Sequence, residues 1–248
     1  MKRSGLILLL IIYSLFTVIA QDTTIIYYNK DWKQTKPSKA LYFEKRIKIK
    51  ENSYVITKSK INNTPFFICY YKSLQPLIEN GRFIYYDNNS EIKISGLYND
   101  GYMDGIWMYY NNFKNRFDTL DYTGIKDIYE GKIPKTDIPE IFLRSEVMPV
   151  KIDSNTGQET NIRQYLTESI HYPYRARENN IQENIYIQFF IASDGKVYNI
   201  KCVKGVNKDL IFEAIRIVRD SSPWIPGKQK EKPINITTTS PIIFSLEK

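Results

Sequence analysis

The chain has 248 residues, enough for one or two domains, and its 42% hydrophobic and 25% charged content is ordinary for a globular protein. Two cysteines and one histidine exclude a disulfide scaffold and a zinc site of the usual spacing, and no organic cofactor motif accompanies them. The formal charge of +8 would permit a nucleic-acid partner, but the lysines are scattered and no basic helix or RNP-like aromatic motif goes with them, so nucleic acid is not expected.

In chain order, Lys2 and Arg3 precede an apolar run, and Val18 and Ala20 suit the −3 and −1 positions of a signal-peptidase site. The apolar stretch from Gly5 to Ala20 is shorter than the roughly 20 residues a spanning helix needs. Residues 1–20 are therefore expected to be a signal peptide, with the mature chain starting near Gln21 in the periplasm. An uncleaved inner-membrane anchor is the alternative.

The 20 tyrosines and 12 phenylalanines lean toward β-structure. "YFEKRIKIKENSYVITKSKI" alternates at Ile47 and Ile49, then at Tyr54 and Ile56, which predicts strand, turn, strand. A repeat follows, "GRFIYYDNN" from Gly81 and "GIWMYYNNF" from Gly105, with Gly96 and Gly101 at turn positions between them. Such spacing predicts a hairpin unit stacked on its neighbour. The copies resemble MORN-type repeats. Phe83, Trp107 and Tyr109 are read as a hydrophobic sheet face, with a ligand-binding aromatic stripe as the alternative. Pro134, Pro139 and Pro149 hold the following stretch extended or in turns, and the domain boundary is expected near residue 140.

Beyond residue 160 the pattern sharpens. Ile162, Tyr165, Leu166 and Ile170 share one helical face with Thr160 as the expected cap, and Pro173 opens a second helical turn. Ile185, Ile187, Phe189 and Ile191 alternate as a strand, Asp194-Gly195 makes a hairpin turn, and Val197 to Val203 is the return strand. Ile211, Ala214, Ile215 and Val218 form one face of a helix. Ile234, Ile236, Thr238, Ser240, Ile242, Phe244 and Leu246 mark the core side of a last strand.

This element order, with "EVMP", Tyr172-Pro173, "IASDGKVYNI", "EAIRIV", "PWIPG" and the terminal "PIIFSL", resembles the TonB C-terminal domain over residues 145–248. Exported proteins of Bacteroidetes-like bacteria combine such a domain with a tyrosine-rich front half. The expected fold is α+β: a MORN-like, mainly β region over 21–140, then a two-helix, three-stranded antiparallel domain over 141–248.

The resemblance implies binding of an extended segment of an outer-membrane transporter by strand addition, in energy-coupled transport. It implies inner-membrane motor proteins as further partners. However, the one histidine, His171, lies far from the apolar segment, and no long proline-rich spacer is present. A homodimer stays open. On this reading Asn235, Ile236, Thr237, Thr238 and Thr239 receive the segment, and Ser169, His171 and Tyr172 supply specificity. Pro241 suits an edge strand. The alternative is an exported scaffold or envelope-binding protein that uses its last domain only for docking. An enzyme is not expected: Asp153 with Glu159, or Asp127 with Glu130, could be drawn as a carboxylate pair, but nothing in the sequence places either in a cleft.

Overall fold

The computed structural model describes residues 22–152 and 157–246. The expected signal peptide and Asp153 lie outside them. Two compact units are present, one of residues 22–101 and 106–120, the other of residues 102–105 and 121–246. The expected boundary near 140 thus falls inside the second unit.

The first unit is built on a meander whose strands neighbour each other in chain order: β1 (Thr23–Tyr28), β2 (Tyr42–Lys50), β3 (Ser53–Lys60), β4 (Pro65–Leu74), β5 (Leu77–Tyr86), β6 (Ile92–Asn99), β7 (Tyr102–Asn111) and β8 (Arg116–Asp121). Tight connections suffice because residues such as Asn52 (φ 54°) and Asp100 (φ 55°) take the left-handed conformation that short polar side chains tolerate. Ile56, Cys69, Phe83, Ile94, Tyr98, Trp107 and Tyr109 are buried. Phe83 stacks on Trp107 with centroids 5.4 Å apart, and Tyr98 meets the indole edge-on at 5.0 Å. The repeated aromatics are therefore core rather than an exposed stripe. Gly96 makes this possible: a Cβ there would sit 2.2 Å from Trp107 Cδ2. The indole lies against bare backbone and donates its Nε1–H to the Leu97 carbonyl at 3.1 Å.

The second unit runs α1 (Ile125–Tyr129), β9 (Ile141–Phe142), β10 (Val150–Ile152), β11 (Glu159–Asn161), α2 (Ile162–Glu168), α3 (Tyr174–Glu178), β12 (Glu183–Ile191), β13 (Val197–Lys204), α4 (Lys208–Asp220), β14 (Lys228–Gln229), β15 (Lys232–Pro233) and β16 (Asn235–Phe244). Its main sheet has the order β13-β12-β16-β9, so a fourth strand joins the three expected. Small hairpins pair β10 with β11 and β14 with β15. Thr160 is not the cap of α2, because it is paired with Lys151 in the β10–β11 ladder. Asn161 caps instead, its Oδ1 accepting the Gln164 N–H at 3.0 Å.

Alternation along β12 is strict: Ile185, Ile187, Phe189 and Ile191 are fully buried, against α4. The helix α4 is buried all round from Asp209 to Val218, not on one face only. Tyr102 stacks on Phe212 at 5.0 Å and Tyr129 packs on the same ring at 5.5 Å. The fully buried Glu213 accepts hydrogen bonds from Tyr122 Oη (2.6 Å), the His171 N–H (2.8 Å), and Arg216 Nε (2.7 Å) and Nη2 (2.6 Å). Burial alone would lower the Arg216 pKa, but the Glu213 carboxylate more than reverses this and holds it above its ordinary value.

Two landmarks of the sequence meet. The Trp224 N–H donates to the Gly195 carbonyl at 2.8 Å, and a Cβ on Gly195 would lie 2.1 Å from the Trp224 carbonyl oxygen. The Asp-Gly turn thus seats the Trp-x-Pro-Gly loop. The indole itself is buried, donates to Ser221 Oγ at 3.0 Å and meets Tyr165 edge-on at 5.4 Å.

Candidate functional site

β16 pairs with β12 over nine residue pairs, from Glu183↔Phe244 to Ile191↔Ile236, without a register shift. Its even-numbered residues Ile236, Ser240, Ile242 and Phe244 are buried, whereas Thr239 and Ile243 are exposed. The other long edge of β16 meets β9 in parallel, at Asn235↔Ile141 and Ile236↔Phe142. No strand among the described residues pairs with that edge beyond Ile236.

Backbone groups of a strand point alternately to its two sides. Pro241 has no N–H, and the unbroken ladder with β12 requires it to face the outer side. The outward groups are then those of Asn235, Thr237, Thr239, Pro241 and Ile243. β9 occupies the first of them, and Pro241 offers a carbonyl only. Proline on an open edge limits adventitious pairing with other chains.

β9 is the end of a strap. The Thr136 N–H donates to Asn199 Oδ1 at 2.8 Å, and Asn199 Nδ2 donates back to the Thr136 carbonyl at 2.9 Å. Asn199 is on β13, at φ 51°, beside the register shift between Gln188 and Phe190. At the far end Asn235 Nδ2 donates to the Pro139 carbonyl at 2.7 Å, while its Oδ1 accepts the Ser193 N–H at 2.9 Å. Given the strand order, residues 136–139 cross β12 from β13 to β16.

The eight expected site residues do not form one cluster. Asn235 to Thr239 lie at the start of β16. Tyr172 lies at its other end, its ring edge-on to Phe244 at 5.7 Å and its hydroxyl on the Ile181 carbonyl at 2.5 Å. Nine residue steps of strand separate Asn235 from Phe244, about 30 Å. Burial raises the Tyr172 phenol pKa. The Ser169 carbonyl accepts from Arg216 Nη2 at 3.3 Å, so Ser169 and the His171 backbone belong to the Glu213 network. Asn235 and Ile236 are already engaged by β9. Thr237 has a buried hydroxyl without a hydrogen-bond partner, Thr238 is half-buried toward the core, and Thr239 is exposed on the open edge.

Sequence reasoning missed Ile141, Phe142, Thr136 and Asn199. The only signal was a short apolar run after Pro139, in a stretch held extended by prolines.

Several carboxylates elsewhere are engaged. Lys132 Nζ lies 4.0 Å from Asp127 and 2.6 Å from Glu130. In the shallow depression beside α4, Arg175 grips Asp209 with Nε–Oδ2 at 2.8 Å, and Glu183 accepts the N–H groups of Val206 and Asn207. Among the described residues no group of three His, Cys, Asp or Glu could hold a metal ion.

Residues 168–246 match the family model of the Gram-negative bacterial TonB protein C-terminal. Over this segment the chain is similar to a TonB C-terminal domain. The segment begins at the end of α2 and includes β12, β13, α4 and β16. The strap, β9 and α1 precede the matched residues but belong to the same compact unit. None of the curated proteins compared with the chain matches it. The family implies a TonB-like protein in the energy coupling of transport, with outer-membrane proteins as its partners.

Proposed function

We propose that the protein works in the periplasm, exported by residues 1–20, and docks an extended segment of an outer-membrane transporter onto the outer edge of β16. The observation that carries this reading is the edge itself. β16 is fully paired with β12 on one side, and its other side presents unpaired backbone beyond Ile236. Backbone hydrogen bonds give such a site affinity with little demand on partner sequence. The TonB C-terminal domain supports transport as the context. The parallel β9 supports the geometry, since this edge already accepts a strand in that direction.

A second reading is favoured by the first unit, where Leu97, Ile106, Met108, Phe113 and Phe117 are exposed. On it the MORN-like hairpins capture an envelope partner, and the TonB-type domain serves only for docking. A photo-crosslinking residue placed at Thr239 or at Phe113 in the exported protein separates the two. Capture of an outer-membrane transporter from Thr239 but not from Phe113 is expected. Capture from Phe113 alone would overturn the docking reading.

A further inference from the structure

We infer that the strap of residues 136–142 is a built-in occupant of the β16 edge, and that it must leave before an extended partner segment can dock. The inference rests on the docking reading above and concerns the regulation of that same edge. With β9 in place, the outward backbone groups of Asn235 are taken. Thr237, against the end of the β9 ladder, and Thr239 then remain as the outward residues with both an N–H and a C=O before Pro241 interrupts the donors. Two such residues are a short run for strand addition. Departure of β9 restores Asn235, Thr237 and Thr239 as an uninterrupted alternating run.

The strap is held as something removable would be held. Its anchors are side-chain amides, Asn199 at one end and Asn235 at the other, rather than a buried apolar plug. Ile141 and Leu143 are exposed, and β9 pairs over two residues only. Glu140, between strap and strand, sits at φ 47°, a conformation unfavourable for a side chain of its kind. Thr237, next to the last paired residue, keeps a buried hydroxyl without a partner. The two-residue ladder, the exposed side chains and the Glu140 backbone each weaken the closed arrangement relative to one in which a longer segment runs along β16.

The test uses the full chain and a synthetic peptide of its own residues Lys135–Leu143, followed by the amide shifts of Thr237 and Thr239. Thr136→Pro removes the N–H that donates to Asn199 Oδ1 and leaves Asn199 in place for the peptide, and Phe142→Pro independently weakens β9. Ile141→Cys with Asn235→Cys, on a background with Cys69 and Cys202 replaced by Ala, locks the strand by a disulfide. If the closed form dominates, apparent affinity is divided by the open fraction, so each released variant should bind the peptide about tenfold or more tighter than the native chain. The locked chain should not bind until it is reduced. Equal affinity in native, released and locked chains overturns the inference, as does a folded Thr136→Pro chain that takes up no peptide. A second series uses a synthetic periplasm-facing segment of an outer-membrane transporter. Equal binding of it to native and released chains would leave docking standing and remove the gate. Released chains that take the Lys135–Leu143 peptide but no transporter segment would leave the gate and remove the docking reading.

Discussion

Glu213→Ala isolates what fastens the residues before the TonB-type domain to its central helix. The carboxylate is fully buried and accepts four hydrogen bonds, from Tyr122, from the His171 backbone and twice from Arg216. The Arg216 side chain is only 8% exposed. Removing the carboxylate leaves that guanidinium buried with its main counter-charge gone, a loss of about 3–5 kcal/mol. At 1.36 kcal/mol per decade this is roughly two to four orders of magnitude in an equilibrium constant. Hydrogen exchange of the α4 amides, read by NMR, reports the opening of this unit separately from the meander. Protection along α4 should fall by that factor in Glu213→Ala. Tyr122→Phe removes one hydrogen bond to a charged acceptor and should cost about 1.5–3 kcal/mol. Glu213→Leu combined with Arg216→Met should restore most of the loss, since a buried pair replaced by apolar groups is often close to neutral. A fall of less than tenfold in Glu213→Ala would mean that the carboxylate is not what holds Arg216, and so would a double variant no better than the single one.

Gly96→Ala should destabilise the first unit by about 1–3 kcal/mol or more, because the new methyl group would sit 2.2 Å from Trp107 Cδ2; exchange of the β6 amides measures this, and a Trp107→Leu background should relieve most of it. Trp224→Ala should cost about 3–5 kcal/mol, given a buried indole with its own hydrogen bond and an aromatic neighbour; unchanged protection in β12 would contradict it. Lys151 Nζ contacts the carbonyls of Ser221 and Pro223 and lies 4.8 Å from the Tyr165 ring centroid, and burial lowers its pKa below 10.5. Between the lowered value and 10.5 the unfolded chain binds the extra proton, so this lysine's contribution makes stability rise with pH in that window. A side-chain NMR titration should find Lys151 deprotonating before the surface lysines; titration at or above them would contradict the burial argument.

The parts of the fold legible in the sequence are those whose signals are local. Alternation at Ile185, Ile187, Phe189 and Ile191 needs only one covered face, Asp194-Gly195 carries its own turn geometry, and Pro173 does stand at the start of α3. Burial of the back of α4 was not legible, because Tyr102, Tyr122 and Tyr129 reach it from more than 80 residues upstream. Thr160 has the residue type of an N-cap, yet ladder pairing with Lys151 leaves Asn161 to do the capping. For the proposed site, the sequence pointed to β16 as the receiving strand but treated its start as free. A two-residue parallel strand has almost no local signature, and its pairing depends on Asn199 and Asn235 holding a segment about 60 to 100 residues earlier in the chain. Ser169, His171 and Tyr172 fall near the edge in sequence logic, yet the length of β16 puts Tyr172 at its far end.

The most direct measurement is an amide-shift titration of the full native chain with synthetic periplasm-facing segments of outer-membrane transporters. Saturable shifts are expected, confined to the β16 edge at Thr237, Thr239 and Ile243 and accompanied by shifts at Ile141 and Phe142 as the resident strand gives way. Shifts confined to the meander of the first unit, or none at millimolar peptide, would contradict docking at this edge.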